Sequence, residues 1–515
     1  MDGKTIVDLL ARGQPTAPAI TAPDRPPLSY DGFRQLVEAT LADLNRSGIG
    51  RGDRVAIVLP NGPEMAATFL AVAAGATAAP LNPAYRRDEF DFYLGDLGAR
   101  ALVVAEGTET PARNAAAARG IPVFDLRVPD GAPAGAFSLS RAGPTTEEPA
   151  ARPGPAAADE TALVLHTSGT TSRPKIVPLS QSNLWASAGH IAETLALTPA
   201  DRCLNVMPLF HIHGLVGAVL ASLAAGAEVH CTPGFNALRF FAWLAEAQPT
   251  WYTAVPTMHQ AILARAKRNS EVIAGSRLRL IRSSSSSLPP RVMADLEATF
   301  GAPVIESYGM TEAAHQMTSN PLPPRARKPG SVGPAAGPEV VVLDERGRPA
   351  PPGEEGEVAI RGPNVTAGYE NNPVANAAAF TDGWFRTGDQ GVMDDEGYLT
   401  ITGRLKEMIN RGGEKISPRE IDEVLMDHPD VAQAVAFALP HGLLGEDVAA
   451  AVVPAEGAAP DERQLRDFVA ARLADFKVPR RILILAEIPK GATGKLQRIG
   501  LAEKLGLAGK GGTDE

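Results

Sequence analysis

The chain has 515 residues, 44% hydrophobic and 21% charged, a length that calls for at least two domains and a balance that excludes a disordered protein. Its net charge of -10, from 49 Lys+Arg against 59 Asp+Glu, argues against a general binder of nucleic acid or anionic membranes and toward a small-molecule partner. Two cysteines, Cys203 and Cys231, exclude a disulfide framework and a Cys-based zinc site, and a reducing compartment is expected.

Met1–Gly13 shows no basic-then-apolar leader, so a cytoplasmic protein is expected. The longest apolar stretch, Met65–Leu81, is interrupted by Thr68, Gly75, Thr77 and Pro80 and falls short of the ~20 apolar residues of a membrane span. It predicts a buried helix that stops at Gly75. Strands are predicted at Arg54–Pro60, Ala101–Ala105, Thr161–Ser168, Trp251–Val255, Leu278–Arg282 and Ala302–Ser307, alternating with helical stretches, which is the rhythm of an α/β protein with largely buried strands. Val128–Glu160 is crowded with Pro, Ala and Gly and reads as a surface connection without helix or strand. From Gly353 the Gly-punctuated runs Gly356–Arg361 and Gly397–Thr402 predict a β-rich subdomain, and seven of the eleven lysines lie from Lys406 onward. The expected organisation is therefore a large N-terminal domain of α/β layers with a β-rich subdomain, residues 1–403, and a small α+β C-terminal domain, residues 404–515.

The most informative segment is His166-Thr167-Ser168-Gly169-Thr170-Thr171-Ser172-Arg173-Pro174-Lys175, which follows the strand-like Ala162–Leu165. Gly and hydroxyl residues offer N–H and O–H donors to phosphate oxygens, and Lys175 adds a point charge. The segment is not a G-x-x-x-x-G-K-[ST] loop, and taken alone a Ser/Thr-rich turn is more often a plain loop. Further motifs follow in order: Tyr308-Gly309-Met310-Thr311-Glu312, Trp384–Asp389, Gly403–Glu407 and Pro489–Lys495. Singly, Glu312 or Asp389 reads as a cap or surface charge and Lys495 as a solvated one.

Together the five motifs resemble the signature set of the acyl-adenylate-forming superfamily, over roughly Leu36 to Arg498. The resemblance implies an ATP- and Mg2+-dependent ligase in which Thr167, Ser168, Gly169, Thr170, Thr171 and Lys175 hold the β- and γ-phosphates. It further implies that Thr311 acts with Glu312, the magnesium-binding carboxylate and a hard ligand for a hard cation. Tyr308 would stack on adenine, with Ser286 beside the nucleotide, and Asp389 and Arg404 would meet the ribose hydroxyls. Lys495 would be the catalytic lysine that neutralises charge as acyl-AMP forms. Lys406 resembles the hinge about which the C-terminal domain swings, and Gly412-Gly413 resembles the close backbone approach that lines a coenzyme A tunnel. One departure is Ile176, where the superfamily usually has Gly, and slower loop closure is expected from it.

The acyl pocket of the superfamily lies among segments that correspond here to Pro208–Gly214, Arg282–Leu288 and Glu312–Ser319. Five serines, Ser283–Ser287, and His315 make such a pocket poor for an alkyl tail, because unsatisfied polar groups beside hydrocarbon cost ~1–3 kcal/mol each. They suit a second carboxylate. Over several stretches the chain is similar to oxalate–CoA ligases, which implies that His211, Ser285 and His315 hold a short dicarboxylate. Two alternatives remain: a fatty-acid or aryl-acid CoA ligase, and a stand-alone adenylation enzyme that loads a carrier protein. Expected partners are a small carboxylic acid, ATP and CoA, with no nucleic acid and no transmembrane segment, and with the oligomeric state open.

Overall fold

A computed structural model describes residues 4–141, 148–167, 174–489 and 497–507. The chain forms two compact units, Met1–Val340 with Ile360–Phe385, and Val341–Ala359 with Arg386–Glu515. The expected boundary at residues 403 and 404 lies inside the second of these.

The first unit is built on two sheets. One has seven strands, in the spatial order Ser138–Arg141, Val123–Arg127, Ala101–Ala105, Arg54–Val58, Thr77–Pro80, Thr161–Thr167, Lys175–Ser180, parallel except at its two ends. Its central strands are buried along almost their whole length, so they read as continuous apolar runs without the alternation of a one-sided sheet. The apolar stretch after Met65 resolves into a helix, Pro63–Ala73, with Pro at its first turn, and the buried strand Thr77–Pro80. The connection after Val128 does contain a strand, Ser138–Arg141, which pairs antiparallel with Val123–Arg127. Its sequence SLSR is half-exposed edge material with one apolar residue, so periodicity could not reveal it.

The second sheet has eight strands, and the consecutive parallel neighbours Arg202–Asn205, Trp251–Ala254, Leu280–Ser283 and Val304–Met310 run through its middle. Their inner face packs Leu204, Tyr252, Ile281 and Val304 against the helices Phe240–Ala247, Pro256–Ala266 and Pro290–Phe300. Cys203 and Cys231 sit within this sheet, free and fully buried, and burial pushes both thiols up from their ordinary values.

Residues 339–404 contribute a five-stranded sheet of Glu339–Leu343, Glu355–Arg361, Phe380–Thr381, Trp384–Met393 and Leu399–Arg404. A further five-stranded sheet follows, led by the long hairpin Val431–His441 and Gly445–Pro454, with the helices Pro418–Met426 and Glu462–Ala470 packed on it. Among the described residues no helix is long and apolar enough to cross a membrane.

Candidate active site

Thr161–Thr167 and Lys175–Ser180 form an antiparallel pair in which Thr167 stands opposite Lys175 and His166 opposite Ile176. The hairpin thus brings Thr167 and Lys175 together at the root of the predicted phosphate loop, while Ser168, Gly169, Thr170 and Thr171 lie outside the described residues. Ile176 is 8% exposed and packs with Phe90, Val104 and Val164. A β-branched residue suits that buried strand position.

Lys175 Nζ lies 4.1 Å from the centre of the Tyr369 ring, a cation held over an aromatic face. The Tyr369 hydroxyl in turn donates to Glu312 Oε1 at 2.8 Å. Burial, reinforced by the Glu312 charge, pushes the phenol up from its ordinary value, so it stays a donor. Glu312 itself is 5% exposed. A fixed, buried carboxylate fits a magnesium ion that arrives with phosphate oxygens, because Mg2+ is commonly held by one or two carboxylates with the remaining ligands from substrate and water. Among the described residues no group of three or more His, Cys, Asp and Glu gathers to form an all-protein cage.

Glu312 and Thr311 sit in a tight turn between Val304–Met310 and His315–Ser319, with Met310 opposite His315. A Cβ on Gly309 would stand 1.8 Å from the His315 carbonyl oxygen, so only glycine permits this hairpin. Ala314 and His315 carry φ of +48° and +111°, and Ser285 carries +73°. Such conformations cost ~1–3 kcal/mol each in non-glycine residues and concentrate at functional sites.

Those residues surround a buried polar cluster. His213 Nδ1 lies 2.9 Å from Ser285 Oγ and its Nε2 lies 2.6 Å from Thr253 Oγ1. The His213 ring meets His315 edge-on at 4.8 Å between centroids. Arg282 Nη1 approaches His315 Nε2 at 3.4 Å, and its Nη2 donates to Gln316 Oε1 at 3.1 Å. His213 belongs to a π-helical segment, His213–Leu220, a wide turn of the kind often found at functional sites. Of the three acyl-pocket residues expected from the sequence, Ser285 and His315 are joined, and the ring that joins them is that of His213. His211 lies two residues earlier, its ring 4.6 Å from that of Phe210. Ser284 is spent on the sheet, donating to the Ser307 carbonyl at 3.0 Å, whereas Ser286 is exposed in the loop beyond.

Sequence reasoning missed Tyr369, His213, Thr253, Gln316 and Arg282 as members of these clusters. The second histidine in Phe210-His211-Ile212-His213 and the basic residue heading the serine run were the available signals.

In the second unit Asp389 and Arg404 face each other on neighbouring strands, and Arg404 Nε donates to Asp389 Oδ1 at 2.7 Å. Asp389 is buried and Arg404 half-exposed. Lys406 is exposed just beyond that strand, where the Leu405 N–H donates to the Gly388 carbonyl at 2.9 Å. Gly412 and Gly413 make a turn at φ +60° and +99°, with Gly412 N–H donating to the Leu444 carbonyl at 2.9 Å. Nothing stands within 4 Å of where a Gly413 Cβ would be, so a ligand can come close to that backbone. Both carboxylate oxygens of Glu420 accept from Lys477, at 2.8 and 2.7 Å. Tyr308 is partly exposed on the strand bearing Gly309. Lys495 lies outside the described residues.

Comparison with known proteins identifies the family. An oxalate–CoA ligase of Arabidopsis thaliana is 46% identical over 492 residues, covering 92% of this chain and 95% of its own. One of Saccharomyces cerevisiae is 43% identical, covering 88% and 87%. The crystal structure of ATP-bound MatB from Rhodopseudomonas palustris superposes with a TM-score of 0.85 at 30% identity, covering 98% of this chain and 99% of that one. The AMP-binding enzyme family matches residues 8–370 and its C-terminal domain matches residues 420–495. The chain belongs to the AMP-binding enzyme family.

Proposed function

We propose that the protein is an ATP-, Mg2+- and CoA-dependent, AMP-forming acid–CoA ligase whose acid is oxalate, acting in a reducing, cytoplasmic setting. The observation that carries the choice of acid is the cluster of buried Arg282, His315 and His213 with partly buried Ser285, polar groups where an alkyl or aryl acid would need apolar walls. The names of the Arabidopsis and yeast relatives support the same reading.

In the first half-reaction a carboxylate oxygen attacks the α-phosphorus, the α–β P–O bond breaks, and pyrophosphate leaves behind oxalyl-AMP. The magnesium ion, when bound, supplies charge neutralisation on the phosphates. Glu312, oriented by the Tyr369 hydroxyl, is the residue that would hold it, while Thr167 and Lys175 anchor the phosphate loop. Tyr308, Asp389 and Arg404 hold the nucleoside, with Ser286 beside it, and Lys495 bridges the attacking carboxylate and the α-phosphate. In the second half-reaction the CoA thiol sulfur attacks the acyl carbon and the acyl C–O bond breaks toward AMP. The thiol proton passes to solvent. The pivot at Lys406 replaces Lys495 with the Gly412-Gly413 turn between the two steps, which is domain motion about a short hinge.

An acid panel with ATP, Mg2+ and CoA, scored by pyrophosphate release and by thioester mass, tests the assignment. Oxalate should rank first by kcat/KM. Preference for hexanoate or a cinnamate would overturn it, and activity only with a carrier protein in place of free CoA would turn the enzyme into a loading adenylase.

A further inference from the structure

Arg282 is fully buried in the middle of the eight-stranded sheet, an unusual place for a charge that needs solvent or a counter-ion. Among the described residues no carboxylate pairs with it, and its Nε lies buried without a hydrogen-bond partner. Its two terminal nitrogens meet only neutral groups, His315 Nε2 and Gln316 Oε1. Gln316 is held the right way round for this, because its amide nitrogen donates to Thr194 Oγ1 and to the Ala336 carbonyl, each at 3.0 Å. Desolvation lowers the guanidinium to about 9, which leaves it charged at neutral pH.

A guanidinium has donors and no acceptor, so His315 Nε2 must accept. The ring is therefore neutral with its proton on Nδ1. Space for this pair comes from Gly217, whose Cβ would stand 2.6 Å from His315 Nε2 and 3.1 Å from Arg282 Nη1.

We propose that Arg282 is the specificity-determining residue of the acyl pocket, a buried cation that fixes His315 as the neutral Nδ1–H donor and reserves the pocket for an acid carrying a second negative group. The proposal rests on reading this cluster as the acyl pocket. It accounts for an otherwise uncompensated charge, because the counter-ion is the substrate's distal anionic group. A monocarboxylate would leave Arg282 unmatched, so discrimination lies in the missing charge and not in the shape of the cavity.

The test compares wild type with Arg282→Gln, Arg282→Lys and Gly217→Ala for pyrophosphate release with oxalate and with propionate. Arg282→Gln should lose ~10- to 100-fold in kcat/KM for oxalate while propionate changes by less than ~3-fold, and Arg282→Lys should recover much of the loss. Gly217→Ala, which crowds the pair without removing it, should erode selectivity in the same direction. Nitrogen-15 spectra of the histidine rings in the unmodified enzyme, with His315 assigned by its absence in His315→Gln, should show Nδ1 protonated. That measurement holds even if neither Arg282 variant folds. A proton on His315 Nε2, or an equal loss on both acids in Arg282→Gln, overturns the proposal. If the wild type prefers malonate or succinate to oxalate, the oxalate reading falls and the same variants, assayed on that dianion, still decide the role of Arg282.

Discussion

The contact between Tyr369 and Glu312 ties the carboxylate proposed to hold magnesium to a side chain that also carries Lys175 on its face. Removing the hydroxyl in Tyr369→Phe keeps the ring under the ammonium and takes one hydrogen bond from the carboxylate, so the loss should fall on magnesium and nucleotide use. Pyrophosphate formation should drop ~5- to 30-fold, most at low Mg2+, as befits one hydrogen bond to a charged group. Rates unchanged across a magnesium titration would show that the hydroxyl does not position Glu312. Lys495→Ala should abolish formation of the acyl adenylate yet still convert supplied acyl-AMP to thioester, and equal loss in both halves would refute that division of labour. At this scale the sequence exposed the residues that stand in contiguous motifs, Glu312 and Lys175 among them. It hid those that act through the fold: Tyr369 reaches Glu312 across 57 positions of chain, and Arg282 reaches His315 across 33.

Elements tell a similar story. The parallel strands around Val55, Leu102, Val164, Tyr252 and Ile281 were legible because strands buried on both faces are continuous runs of apolar residues. The edge strand Ser138–Arg141 was not, since edge pairing depends on the neighbouring backbone more than on its own composition. Ile176, from which slower loop closure is expected, is a strand residue of the core that packs with Val164. Ile176→Gly should therefore destabilise the first unit by about 3–5 kcal/mol, from the lost side chain and the added backbone freedom. A urea titration followed by tryptophan fluorescence measures it, and unchanged stability with faster adenylation would show that Ile176 acts on loop closure instead. The hinge proposed at Lys406 makes a separate demand. Lys406→Pro fixes φ near ~-65° and should slow the overall reaction more than adenylation alone. Wild-type rates of both thioester and pyrophosphate production would remove Lys406 from the pivot.

For the whole molecule, burial of neutral imidazoles sets an acid limit on stability. Desolvation pushes His259 and His230 each down to about 4. Both bases bind protons less readily folded than unfolded, so their contribution is complete above the unfolded value near ~6.5 and is lost as pH falls from there toward 4. The loss is at most about 3 kcal/mol per ring. Urea midpoints at pH 7.5, 6 and 5 should decline, and His259→Gln should flatten part of that decline. An unchanged slope in the variant would show that His259 already takes up its proton in the folded state. The buried cysteines carry a different consequence, one for chemical compatibility with the cosubstrate. An enzyme that uses a free thiol meets that thiol's oxidised form in solution, and mixed disulfides form wherever a thiolate of its own is accessible. Cys203 and Cys231 are closed off inside the sheet, with both thiols held away from ionisation. The native protein should therefore consume no aromatic disulfide reagent over the time of an assay, so that every thiol counted during turnover belongs to coenzyme A.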